Sequence, residues 1–243
     1  MNLDFRADQN IETESMGQKM TIEQKMQFNI ENMVEDISKS GNYIFKATYR
    51  RIKISQNLPG IGQTVVDTDS PSTNIGAAAA VIEPLFKSFI GKSFTMEMTP
   101  QGKAVRTDMS EIKALSPESG NLLEGDNGLF SGYTEFPDKS LKVGDSWEVE
   151  RDLNSQKYLM RIKAKYTLKE VKDGLALIHL TGQYLPSDDK SSVSGFLEGD
   201  LHVDTQTGWT KEALLRQDLT FSSSELGLGT PLKIKSTITL MSN

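Results

Sequence analysis

The chain is expected to be mainly β: a strongly curved antiparallel sheet, an open or half barrel of about eleven strands, with one helix packed on its concave face. Three observations predict this. Apolar and polar residues alternate through most of the sequence, as where Tyr158, Met160, Ile162, Ala164, Tyr166 and Leu168 interleave with Arg161, Lys163, Lys165 and Lys169, the period of a strand with one dry face. Turn chemistry such as Ser40-Gly41-Asn42, Thr99-Pro100-Gln101-Gly102 and Lys172-Asp173-Gly174 separates these runs. One segment, Asn74 to Gly91, departs from the pattern. Its Ile75, Ala78, Ala79, Ile82, Leu85, Phe86, Phe89 and Ile90 fall at helical spacing, opposed in charge only by Glu83 and Lys87.

The elements follow in order. Leu3, Phe5, Ala7 and Ile11 form the first strand; Gly17 marks a turn into Met20, Ile22, Met26, Phe28 and Ile30. Met26, Ile30, Met33, Val34 and Ile37 also fit a helical period, so helix competes over residues 26 to 37 and strand is preferred. Tyr43 to Ile54 makes the next strand, followed by a loop at 57 to 62 and a polar stretch to Thr73. The helix comes next, with Gly91 placed to close it in a left-handed conformation and Pro84 expected to kink it. Phe94, Met96 and Met98 alternate into a hairpin that returns through Lys103 to Thr107. Residues 108 to 145 are the least regular, with a short helix expected near Ser110 to Leu115 and a glycine-rich loop at 124 to 128. The second half reads as consecutive hairpins through residues 157 to 169, 175 to 184, 195 to 204, 209 to 221 and 232 to 240.

Residues 1 to 243 are read as one β domain, a common size for such folds. Two approximate repeats, 1–110 and 142–241, are joined by the irregular 108–145. One hairpin pair (residues 20 to 49) answers another (160 to 184), and GKSFTMEMTPQGKAV answers GFLEGDLHVDTQTGWTKEA. Identity between the copies is low, and convergence of hairpin chemistry is the competing account. If the repeat is real, the helix is an insertion into one copy.

Charged residues are 25% of the chain and its net charge is −6, which argues against a nucleic-acid partner. The absence of cysteine excludes disulfides, thiolate metal sites and cysteine nucleophiles. The longest apolar run falls short of the roughly 20 residues of a membrane-spanning helix. The N-terminus shows no signal-peptide pattern and begins with strand alternation, as a chain trimmed to its mature form would.

Val143-Gly144-Asp145-Ser146-Trp147, the strand pair at 166 to 182 and Asp204-Thr205-Gln206-Thr207-Gly208-Trp209 together resemble an uncharacterised family of bacterial envelope proteins common in Bacteroidetes, over residues 136 to 240. That resemblance implies a periplasmic, outer-membrane-associated or secreted location after cleavage of a signal sequence, and brings no established activity. In architecture alone the expected half barrel is similar to periplasmic carriers of lipoproteins and lipids.

Catalytic signatures are absent. Ser146 lies in turn chemistry with no base assigned to it, and His179 and His202 sit within expected strands. Glu198, Asp200, His202 and Asp204 share one strand face, yet alternate strand positions stand about 6.6 Å apart, too far for an easy common cation. The cationic row Lys157 to Lys169 reads as a wet strand face and lacks the interleaved aromatics of a nucleic-acid platform. No catalytic residue, metal site or cofactor is therefore assigned. The expected function is a non-enzymatic cell-envelope protein that shelters an apolar ligand, such as lipid, between curved sheet and helix. Ile82, Leu85, Phe86, Phe89, Met96, Met98, Tyr158 and Met160 are the candidate lining, methionine being adaptable to varied shapes. The same residues could instead make a closed core. The alternative is a structural or protein-interaction module of the envelope with a solid interior and an envelope protein as partner.

Overall fold

The alternation that dominates the sequence is realised in a computed structural model as strands; it describes residues 1–15, 18–60, 62–70, 75–76, 78–115, 133–154, 159–187, 192–221 and 231–243. The first half holds β1 (Asn2–Ser15), β2 (Gln18–Ile37), β3 (Tyr43–Leu58), β4 (Gly62–Asp67), α1 (Ala79–Phe89), β5 (Ser93–Met98), β6 (Ala104–Asp108) and α2 (Ser110–Lys113). The second holds β7 (Ser146–Asn154), β8 (Leu159–Lys172), β9 (Leu175–Pro186), β10 (Val193–Asp204), β11 (Thr210–Phe221) and β12 (Leu232–Ser242).

All twelve strands belong to one antiparallel sheet, ordered β6-β5-β3-β2-β1-β12-β11-β10-β9-β8-β7. The 16-residue β3 is long enough for one of its edges to be shared, β5 pairing its first part and β4 its last. The end strands β6 and β7 do not meet, so the sheet stays open.

The curvature is measurable in one contact. Phe45 of β3 and Trp209, at the start of β11, have ring centroids 5.5 Å apart, although four ladder steps of about 4.8 Å each separate these strands along the sheet. The sheet therefore bends round on its apolar side. At β10, Gly195 and Gly199 permit an unusually close approach of β11: a Cβ on either would lie 2.0 Å from the carbonyl oxygen of Asp218 or Leu214 respectively. Leu3, Phe5, Ile52, Ile178, Leu197 and Val203, all nearly inaccessible, fill the concavity.

Residues 26 to 37 are strand, and the helical look of their sequence has a structural cause. Irregularities between Asn29 and Ile30 and between Val34 and Asp36 break the period of two against β3. The loop expected up to Thr73 instead contains β4, whose Thr64, Val66 and Asp67 are buried. The regular helix starts at Ala79 rather than Ile75, because Ile75 forms a bridge with Val65. Gly91 is left-handed, as expected. Of the irregular segment, Ser110–Lys113 is the short helix, while the loop at 124 to 128 lies outside the described residues.

Candidate functional site

Helix α1 is strapped at both ends. Ahead of it, Ile75 and Val65 exchange two backbone hydrogen bonds of 2.9 and 3.0 Å; behind it, the Gly91 amide donates to the Tyr49 carbonyl (2.9 Å) and the Tyr49 amide to the Lys92 carbonyl (3.1 Å). The helix is thereby laid against β4 and β3, and Glu83 pairs with Lys87 on its outer side.

The chain entering the helix is fixed by Asp67. Its carboxylate accepts from Arg51 Nε (3.0 Å) and Nη2 (2.6 Å) and from the Asp69 amide (3.1 Å), with Lys53 Nζ at 3.4 Å. The Arg51 hydrogen bond, outweighing burial, holds the Asp67 carboxyl down at about 2. Across the next residues, Ile52 and Thr68 are joined by the Ile52 amide on Thr68 Oγ1 and the Thr68 amide on the Ile52 carbonyl, each 3.0 Å.

Beneath α1 lies a cavity of about 160 Å³. Ile82, Phe86 and Phe89 close it from the helix; Met26, Phe28, Ile52, Ile54 and Val66 form its walls, and Gln24, Gln56 and Thr64 its polar margin. A run of aromatic contacts supports one side: Phe5 to Phe28 (5.9 Å), Phe28 to Tyr49 (6.5 Å) and Tyr49 to Phe89 (6.3 Å). Among the described residues, no charged side chain lines this space.

The structure thus gathers three of the eight sequence candidates, Ile82, Phe86 and Phe89, at one cavity. Leu85 packs on the main core beside it. Met96 and Met98 belong to a second cluster with Phe45, against which Tyr133 and Trp209 pack. Met160 lies on β8 and packs on the main core, and Tyr158 lies outside the described residues. The walls that sequence reasoning missed come from β2, β3 and β4. Adjacency was the available signal: a helix that follows a hairpin through a short connection covers that hairpin before it covers distant strands.

Other candidates resolve into structural roles. In the turn at 142 to 146, Asp145 Oδ2 accepts from the Lys142 amide (2.8 Å) and Ser146 Oγ lies 2.9 Å from Thr167 Oγ1. Trp147 stacks on Tyr166 at 5.4 Å and donates to the Glu135 carbonyl. Asp204 Oδ1 accepts from the Gln206 and Thr207 amides and from Thr207 Oγ1 at 2.9 to 3.0 Å, closing the turn before Trp209. His179 Nδ1 lies 2.8 Å from Asp200 Oδ1. Among the described residues, no three His, Asp or Glu side chains gather to hold a metal ion. On the outer face Arg161 pairs with Asp152, and Lys163 approaches Glu148 and Glu150, so that part of the cationic row is met by acidic β7. A wider concavity of about 550 Å³ crosses the outer face, where Asp8, Lys25, Arg216 and Asp218 mix both charge signs and Phe196 is the one large apolar side chain among the described residues.

Residues 40–111 and 129–210 match a family of unknown function, DUF6263. The chain belongs to this family. The first matched segment carries β3 to β6 with α1, and hence the helical lid of the cavity and two of its walls; the second carries β7 to β10. No curated protein matches the chain. No helix among the described residues is long and apolar enough to cross a membrane.

Proposed function

We propose that this protein is a non-enzymatic binding protein of the cell envelope that shelters part of an apolar ligand, such as a lipid, between its curved sheet and α1. The observation that carries the reading is the 160 Å³ cavity under a strapped helix, walled by aliphatic and aromatic side chains. An apolar cavity near 150 Å³ takes a molecule of benzene size, and this one has about that volume. Complete ligand pockets run to about 300–1,000 Å³, so the cavity fits the end of an acyl chain or one ring rather than a whole lipid.

Native mass spectrometry of protein purified from its own envelope tests this. A bound apolar molecule is expected, and Ile82→Trp, which fills the cavity from the helix, is expected to expel it. A ligand-free wild type that also fails to take up toluene would sink the proposal, and recovery in the cytoplasmic fraction would sink the envelope location.

A second reading, a protein-interaction module, is favoured by one surface. Val34, Ile37 and Tyr43, on one side of the end of the β2–β3 hairpin, are 49%, 58% and 38% exposed and continue outward from buried Phe45. Capture of a specific envelope protein that Val34→Lys and Ile37→Lys abolish would support it.

A further inference from the structure

Across β11, β12, β1, β2, β3 and β4 the concave face carries a row of uncharged polar side chains set between apolar levels. Ladder register sets Gln217 beside Ser236, Ser236 beside Gln9, Gln9 beside Gln24, Gln24 beside Gln56, and Gln56 beside Thr64. Six adjoining strands, β11, β12, β1, β2, β3 and β4, thus present a neutral hydrogen-bonding group at one level. The neighbouring levels are aliphatic, with Ala7, Met26 and Ile54 on one side and Ile11, Ile22 and Ile234 on the other. No charged residue stands at any of these paired positions.

These amides are not consumed by the fold. Gln9 donates to Ser236 Oγ at 3.2 Å, whereas the side-chain amides of Gln24, Gln56 and Gln217 make no hydrogen bond to any described residue. Gln24 and Gln56, with Thr64, form part of the lining of the cavity under α1, so a molecule held there lies beside them. A primary amide offers two donor hydrogens and an acceptor oxygen. Covering it with pure hydrocarbon strips its water without replacement, and a carboxylate or phosphate brought to this level would lose hydration and meet no cation.

We infer that the ligand is an uncharged amphiphile, whose apolar end occupies the cavity under α1 and whose ester, amide or hydroxyl group is held by Gln24 and Gln56. This rests on the binding role proposed above. It adds the ligand's chemical class: neutral at the polar end, hydrogen-bonding, and excluded if ionised.

Calorimetric titration with three probes tests it: monooctanoylglycerol, octanoate at pH 8, and toluene as a probe of the cavity alone. Wild-type protein is expected to bind the glycerol ester at least about tenfold more tightly than octanoate, the discrimination of one well-placed polar contact. Gln24→Leu with Gln56→Leu is expected to abolish that preference. Toluene binding together with octanoate binding as tight as the ester's would overturn the inference and leave the cavity reading standing; failure of all three probes would overturn both. The wild-type comparison needs no variant, so it decides the matter even if the double substitution fails to fold.

Discussion

Phe89→Ala is the perturbation that most directly examines how α1 is held. Phe89 is 1% exposed, reaches from the last turn of the helix to the Tyr49 ring, and bounds the cavity. Truncation removes roughly 100 Å³ of side chain, which at about 24 cal/mol per Å³ is a cavity term of roughly 2.4 kcal/mol, and lost transfer energy brings the total to about 3–5 kcal/mol. Because the site already borders a void, the lower end, about 3 kcal/mol, is expected. Urea titration followed by fluorescence is a suitable assay, since Trp147 and Trp209 both report on the sheet. The midpoint should fall with little change in slope. Hydrogen exchange should show the amides of Ala79–Phe89 losing protection ahead of those in β1 and β12. A loss below about 1 kcal/mol, with α1 protection unchanged, would refute the assignment of Phe89 as the side chain that anchors the helix.

Three further outcomes are expected. Gly199→Ala puts a Cβ 2.0 Å from the Leu214 carbonyl oxygen, so β10 and β11 must separate; a loss of about 3 kcal/mol or poor recovery of soluble protein is expected, and thermal melting that matches wild type would contradict the account of the bend. Asp67 titrates near 2 in the folded protein against an ordinary value of 3.8, so its contribution of about 2 kcal/mol is complete above pH 3.8 and lost as pH falls through 2. Asp67→Asn should therefore lower stability at pH 7 and flatten the acid limb between pH 4 and 2; an unchanged acid limb would count against the Arg51 pairing. Asp204→Ala removes three hydrogen bonds from the turn before Trp209 and should cost about 1–2 kcal/mol in a thermal melt, while a neutral result would mean the turn forms without them.

Strand alternation made the sheet legible because each strand has one dry face, and a side chain's parity then reports its direction. Met160 to Leu168 and Ala213 to Phe221 were readable for that reason. Parity fails at bulges, which is why residues 26 to 37 also looked helical. The six-residue β4 was hidden because Gln63 and Asp67 are polar: Asp67 is buried by an ion pair with Arg51, sixteen positions earlier, that no local pattern displays. The helix was legible from its own stripe, but what lies under it depends on which strands are near. Reading any apolar strand as its partner brought in Met96, Met98 and Met160, whereas connectivity places α1 over β2, β3 and β4. The row of amides was equally hidden, since each glutamine is unremarkable within its own strand and only ladder register brings them side by side.

The pairing of β1 with β12 at the middle of the sheet sets the order of assembly. Strands β7 to β12 each pair with the next in sequence, and β1 to β6 do so except that β5 pairs with β3 across β4 and α1, so each series propagates largely by local closures. Joining the two series requires Leu3 to find Ser242 and Ile11 to find Ile234, the largest sequence separations in the molecule and the slowest contacts to form. During synthesis the growing chain therefore carries β1 with one unpaired edge until β12 has left the ribosome. Its outward Asp4, Arg6 and Asp8, in alternating charge, face solvent beside that waiting edge and disfavour its capture by another chain.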